Sequence, residues 1–235
     1  MRIGLLCLLL CLPGLLKAAG RRYVLWGALF VFSIILAAWA PLSKWTSQVL
    51  SLLVSSVVIA LLMALATWKR EEFGLRLTFN PGTGRDVLRF LLPLVLVELA
   101  VLWALVPSGR TVFESHLFQL TAPGLTEELS FRGVLLTLLD RVFLGRVRVL
   151  GADLGWGTVA SSLLFSLCHG LRVGADFHVV AKVAPMAIPL AGGFVLAWCR
   201  ARSGSLLLPI LVHGGMNEMA QLIAAVKARG GGRMP

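Results

Sequence analysis

Long apolar runs, separated by short polar breaks, make up nearly the whole chain. They fall at 3–19, 23–43, 47–68, 88–107, 113–142, 153–171, 177–199 and 205–227. A helix needs roughly 17–25 predominantly apolar residues to cross a bilayer, and most of these runs reach that length. The pattern predicts an all-α, polytopic membrane protein of about eight transmembrane helices enclosing a polar cavity, built as a single domain over 1–235. Arg2, a modest apolar stretch and Lys17-Ala18-Ala19 also fit a signal peptide. Because Gly20-Arg21-Arg22 leads straight into the next run, a retained first helix is preferred. The fifth run is expected to break at Pro123-Gly124, with Thr126 capping a new helix behind the break. Between 69 and 89 the turn signal Asn80-Pro81-Gly82, with charges of both signs around it, marks an elbow between helices.

Composition sharpens this picture. Only 14% of residues are charged and 58% are hydrophobic, where soluble domains carry about a quarter charged residues. The net charge of +11 comes from Lys and Arg clustered between apolar runs, as membrane orientation signals are. No basic face or aromatic platform lies outside the runs, so nucleic acid is excluded as a partner. Basic residues are dense in alternate connections (Lys17, Arg21, Arg22; Lys69 to Arg89; Arg141 to Arg148; Arg200, Arg202) and sparse in the others. That alternation supports eight spans with both termini outside, although Lys227, Arg229 and Arg233 argue the other way. The compact, Arg/Ala/Leu/Gly-rich chain points to a multi-pass protein of a bacterial inner membrane. The four cysteines show neither a CxxC pair nor metal-ligand spacing.

Ionisable groups inside a bilayer are costly, so those that occur there face a cavity or a partner. Glu127 and Glu128 are adjacent, and Arg132 follows four residues after Glu128. On a helix Glu128 and Arg132 share a face and can pair, while Glu127 points about 100° away. One carboxylate is then neutralised and the other is free to act. A buried Glu–Arg clamp that only packs helices would use the same two residues. Phe165 and His169 lie four apart in a later run, as do His213 and Asn217 in the last, with Gly214 and Gly215 between them. Two Glu, two His, an Arg and an Asn on three runs can form one polar pocket. A carboxylate beside an imidazole can deprotonate water and return the proton to a leaving amine, and a second imidazole with an amide can donate to an oxyanion. Glu, His and His could instead hold zinc, but no HExxH occurs; chemistry without a cofactor is preferred, with zinc the alternative. Glu98, Lys182 and Glu218 fall in apolar runs outside these motifs, and Glu114 and His116 are expected at an interface.

The order Glu127-Glu128-x-x-x-Arg132, Phe165-x-x-x-His169, His213-x-x-x-Asn217 resembles the CPBP family of type II CAAX prenyl endopeptidases and Abi-type intramembrane proteases, including a myxosortase-like bacterial subgroup. The matching motifs occupy a core at 111–229. The resemblance implies a helical fold around a conical cavity and an endopeptidase acting on a membrane-anchored protein or peptide. In it Glu127 and His169 would activate water, His213 with Asn217 would stabilise the oxyanion, and Arg132 would orient Glu128. An ion- or proton-coupled transporter remains the competing function, with the two glutamates as ion sites; against it, only one helix is interrupted and no internal repeat is evident.

Overall fold

A computed structural model describes Gly27, Phe30 and residues 42–66, 68–109, 111–173, 179–181 and 184–230. The expected runs at 3–19 and, apart from Gly27 and Phe30, 23–43 lie outside the described residues. So does Lys182.

The chain is mostly helical. Helix α1 (Lys44–Ala66) and helix α2 (Thr83–Leu105) are each long and apolar enough to cross a membrane. Their outer faces present apolar side chains, Leu53, Val57, Leu96 and Val97 among them, which suits contact with lipid. Among the described residues these are the only two helices that meet that test. The others are shortened or punctuated by polar groups. Helix α5 (Trp156–Gly170) has 15 residues, helix α6 (Ala184–Ser203) ends on Arg200 and Arg202, and helix α7 (Leu207–Gly230) carries His213, Asn217 and Glu218.

The centre of the bundle is the helical segment 113–142. Helix α3 (Phe113–Glu128) widens into a π-helical stretch over Leu129–Leu135 and then continues as helix α4 (Leu136–Val142). All seven residues of the π stretch are buried, as a helix enclosed on every side requires. Val134, Leu135, Leu138 and Leu139 meet Phe73, Leu164 and Phe30 in the main core.

The expected break at Pro123-Gly124 does not occur: α3 runs through both residues. Thr126 is no cap. Its hydroxyl lies between the Ala122 carbonyl, 2.9 Å away, and the Gln48 side chain. The glycine serves close packing instead. A Cβ on Gly124 would sit 2.9 Å from the Ile210 carbonyl oxygen, and one on Gly214 would sit 2.2 Å from that of Leu120. These two positions let α3 and α7 touch backbone to backbone. Gly214→Ala is therefore expected to push the helices apart and cost about 1–3 kcal/mol, with cleavage activity falling alongside. Gly215, where an added Cβ meets nothing within 4 Å, should accept alanine with neither loss. Melting temperature and cleavage rate of the two variants compared side by side check this.

The departure from the all-α expectation is a pair of short hairpins. Strand β1 (Arg146–Val149) pairs antiparallel with strand β2 (Ala152–Gly155), Val149 opposite Ala152. The two-residue turn is Leu150-Gly151, with φ of 48° and 81°, the left-handed pair that matches strand twist. The predicted run at 153–171 thus starts as strand and turns helical only at Trp156. Strand β3 (Leu171–Val173) pairs with strand β4 (Val179–Ala181) beyond α5.

The elbow between α1 and α2 follows expectation and docks on the α6–α7 corner. Asn80 N–H donates to the Ser203 carbonyl and Leu206 N–H to that of Gly74, both at 2.9 Å. Arg202 Nε pairs with Asp86 Oδ2 at 2.6 Å, and Arg200 Nη2 reaches the Glu72 carbonyl at 2.8 Å. The fold thereby has one basic end, which also includes the β1–β2 hairpin.

Candidate functional site

Three helices converge on the acidic pair. The i,i+4 spacing that placed Glu128 and Arg132 on one face is realised as an ion pair, Arg132 Nη1 donating to Glu128 Oε1 at 2.8 Å, both side chains fully buried. Arg132 Nη2 also donates to the Gly193 carbonyl on α6 at 3.2 Å. Its guanidinium lies 4.4 Å from the centre of the Phe165 ring, a favourable cation–π placement for a desolvated cation.

Phe165 is the hub of the aromatic packing. Its ring meets His169 at 4.6 Å, His213 at 5.8 Å edge-on and Phe131 at 5.2 Å edge-on. One apolar ring therefore fixes both imidazoles and the arginine.

The hydrogen bonds of the two histidines determine which nitrogen faces the site. His169 Nδ1 lies 2.8 Å from the Phe165 carbonyl oxygen, which only accepts, so Nδ1 carries the proton. His213 Nδ1 lies 2.8 Å from Glu128 Oε1 and donates to that carboxylate in the same way. Both Nε2 atoms then turn toward Glu127, each 3.9 Å from its Oε2. That oxygen is buried and accepts no hydrogen bond from the described residues. Glu127 Oε2 and His169 Nε2 both accept into one small space that His213 Nε2 also faces, an arrangement that favours a molecule bringing protons, such as water.

The same three groups invite comparison with a zinc site. Tetrahedral zinc with bonds of 2.0–2.1 Å would hold its ligands about 3.3 Å apart, and both Glu127–His separations are wider. Among the described residues no group of three His, Cys, Asp or Glu side chains closes to metal-binding geometry. In this arrangement the residues do not fit a tetrahedral zinc ion.

Of the six expected site residues, the structure gathers Glu127, Glu128, Arg132, His169 and His213 into one cluster. Asn217 stands one turn beyond His213 on α7, half-buried, and its side chain has no hydrogen bond among the described residues. His213 pairs with Glu128 directly, a link that sequence spacing could not show across 85 residues. The Gly193 carbonyl was equally invisible, since a backbone acceptor has no side-chain signal. Glu98 on α2 lies half-buried within electrostatic range of His213. Glu218 pairs with His116 at 2.6 Å, and His116 Nε2 meets the Thr111 hydroxyl at 2.8 Å. Glu114 is exposed and pairs with Lys44 and with the Trp45 ring N–H.

Glu128, Arg132 and His213 are buried, Glu127 is half-buried and His169 is exposed, so the cluster opens to the surface on the His169 side of a helical fold whose outer faces suit lipid. Residues 109–219 match the family described as type II CAAX prenyl endopeptidase Rce1-like. This segment, a little under half of the chain, is similar to the CPBP family of CAAX proteases, whose members are integral membrane endopeptidases that act on membrane-associated proteins, and the match supports a protease. No curated protein and no solved structure matches the chain.

Proposed function

We propose that this protein is a glutamate-type intramembrane endopeptidase in which Glu127 is the general base. The observation that carries the reading is the position of Glu127 Oε2, without a hydrogen bond among the described residues and 3.9 Å from each of two imidazole nitrogens. A water held among the three gives a proton to Glu127 and attacks the scissile carbonyl carbon. His213, protonated and oriented by Glu128, turns Nε2–H toward the developing oxyanion, and Asn217 adds an amide donor from the next turn. His169, its Nδ1–H fixed on Phe165, passes the proton on to the leaving amine as the C–N bond breaks. Arg132 touches no substrate. It holds Glu128 ionised and in place, and through it His213.

The substrate is a membrane-anchored protein or peptide, and the bacterial sorting-protease subtype resembling myxosortases is the finer reading. Purified protein in proteoliposomes, offered a prenylated peptide and a peptide ending in a hydrophobic sorting helix, separates the two. Preferred cleavage of the sorting helix supports the subtype, preferred cleavage of the prenylated peptide rejects it, and proton flux with no cleavage rejects the peptidase.

Activity is expected to survive exhaustive chelation, and purified protein should lack stoichiometric zinc. One equivalent of zinc by elemental analysis, with activity restored only on adding metal, would turn Glu127, His169 and His213 into ligands.

A further inference from the structure

Two cavities lie at the basic end of the molecule, and only Arg132, on the border of the smaller one, also belongs to the glutamate–histidine cluster. The larger, about 560 Å³, is walled by Phe90 and Leu94 of α2, Val147 of β1, Trp156 and Val159 of α5, and Phe194 of α6. Its walls are almost wholly apolar. Val159 precedes His169 by ten residues, about 15 Å along the helix, so this groove lies well away from Glu127. The smaller cavity, about 260 Å³, is bordered by Arg132, Arg141, Arg146 and Arg200 with Glu72 and Asp140.

The two cavities meet at the foot of the hairpin. Gly145 and Val147 face the apolar groove, and Arg146 between them faces the polar one. Strand alternation produces this division, because successive side chains leave opposite faces. Val147 and Val149 line the groove, while Arg146 and Arg148 take the other side.

The polar cavity carries a net positive charge. Four guanidinium groups border it against two carboxylates, with Arg141 paired to Glu72 and Arg146 to Asp140 at 3.2 Å. An incoming anion would share these two cations with the carboxylates and find Arg200 without a carboxylate of its own in the cavity. Glu128 neutralises Arg132, but Arg76 lies within electrostatic range of Arg200 and restores the excess. The buried Nε of Arg132 and that of Arg200 have no acceptor among the described residues. Buried donors of this kind ordinarily find a partner, and an oxyanion is the partner guanidinium groups bind best. At the groove's rim, Arg89 lies 5.3 Å from the ring of Phe90, which itself lines the groove.

We propose that an anionic phospholipid is bound here, one acyl chain in the groove between α2, the hairpin and α6, and its phosphate on Arg141, Arg146 and Arg200. Only a molecule with an apolar tail joined to an anionic head satisfies both cavities at once. A zwitterionic lipid would bring its own ammonium to a cluster already rich in cations. The site goes beyond the proteolytic reading and does not depend on it.

The test uses full-length protein in detergent with phosphatidylglycerol, phosphatidylcholine and inorganic phosphate as separate probes. Phosphatidylglycerol is expected to raise the melting temperature and to stay bound in native mass spectrometry. Removing two charges, Arg141→Gln with Arg146→Gln, should weaken retention about thirtyfold, and filling the groove with Val159→Trp should also abolish it. Phosphatidylglycerol with a photoactivatable acyl chain should label peptides 144–159 and 194–198 of the unaltered protein, a readout that stands even where a variant fails to fold. Equal retention of phosphatidylcholine, equal stabilisation by phosphate alone, labelling elsewhere, or displacement of the lipid by a prenylated peptide would each overturn the assignment.

Discussion

Glu127→Gln is expected to reduce peptide cleavage by about 10²–10⁴-fold while the protein expresses and melts like the parent. The separation of the two effects follows from the geometry. Glu127 Oε2 forms no hydrogen bond with the described residues, and its nearest imidazole nitrogens are 3.9 Å away. An isosteric amide at this place breaks no contact that holds α3, α5 and α7 together, yet it cannot take a proton from water. The measurement is the initial cleavage rate of a membrane-anchored peptide in proteoliposomes, with a thermal melt of the same preparation. A Glu127→Gln protein that cuts at the parental rate would remove Glu127 from the role of base.

Arg132→Ala should damage the fold as well as the activity. Glu128 is fully buried, and it accepts from Arg132 and His213 at one oxygen while its other oxygen has no partner among the described residues. Taking away the arginine strands a buried carboxylate, a loss of about 3–5 kcal/mol for such pairs, and also removes the donor to Gly193 on α6. Replacing both charges, Glu128→Gln with Arg132→Met, should recover part of the stability because nothing ionic is left uncompensated. Activity should stay low in the double variant, since His213 then lacks the carboxylate that orients it. Denaturant unfolding in detergent reads the first effect and cleavage rate the second. An Arg132→Ala protein with parental stability would show that the pair contributes nothing to the fold.

Much of the site could be read from spacing within single helices. Glu128 and Arg132 four apart, Glu127 off their face, and Phe165 beside His169 are all consequences of helical periodicity, and the structure realises each one. What periodicity could not supply was contact between helices. His213 was grouped with Asn217 by spacing, whereas its nearest ionic partner is Glu128 on α3. Local signals also misled. Pro123-Gly124 reads as a break, but Gly124 is needed where α7 crosses α3, and the buried helix accommodates the proline. The β1–β2 hairpin was present as alternation, Arg146-Val147-Arg148-Val149 followed by Leu150-Gly151, yet four residues of period two are easily lost between long apolar runs. Two spanning helices were legible as such. The shorter and more polar ones are defined by what they pack against, and that no window of hydropathy contains.

The widened turn at Leu129–Leu135 bears on how this protein can vary in descent. A π stretch takes in more residues per turn than the helix on either side of it, so the number of residues from Glu128 to Leu136 sets the rotation of one half of the helix against the other. Losing a single residue there would swing the two halves apart by about 100°. Glu127 and Glu128 could then face α5 and α7 only if Gly133 and Leu138 left their neighbours at the basic end. Substitutions in this turn change one side chain each, but a deletion changes the aim of every side chain beyond it. The count of residues through the turn is thus under as strict a constraint as the identity of the acids, and a comparison of sequences that opens a gap there would be aligning two different active sites.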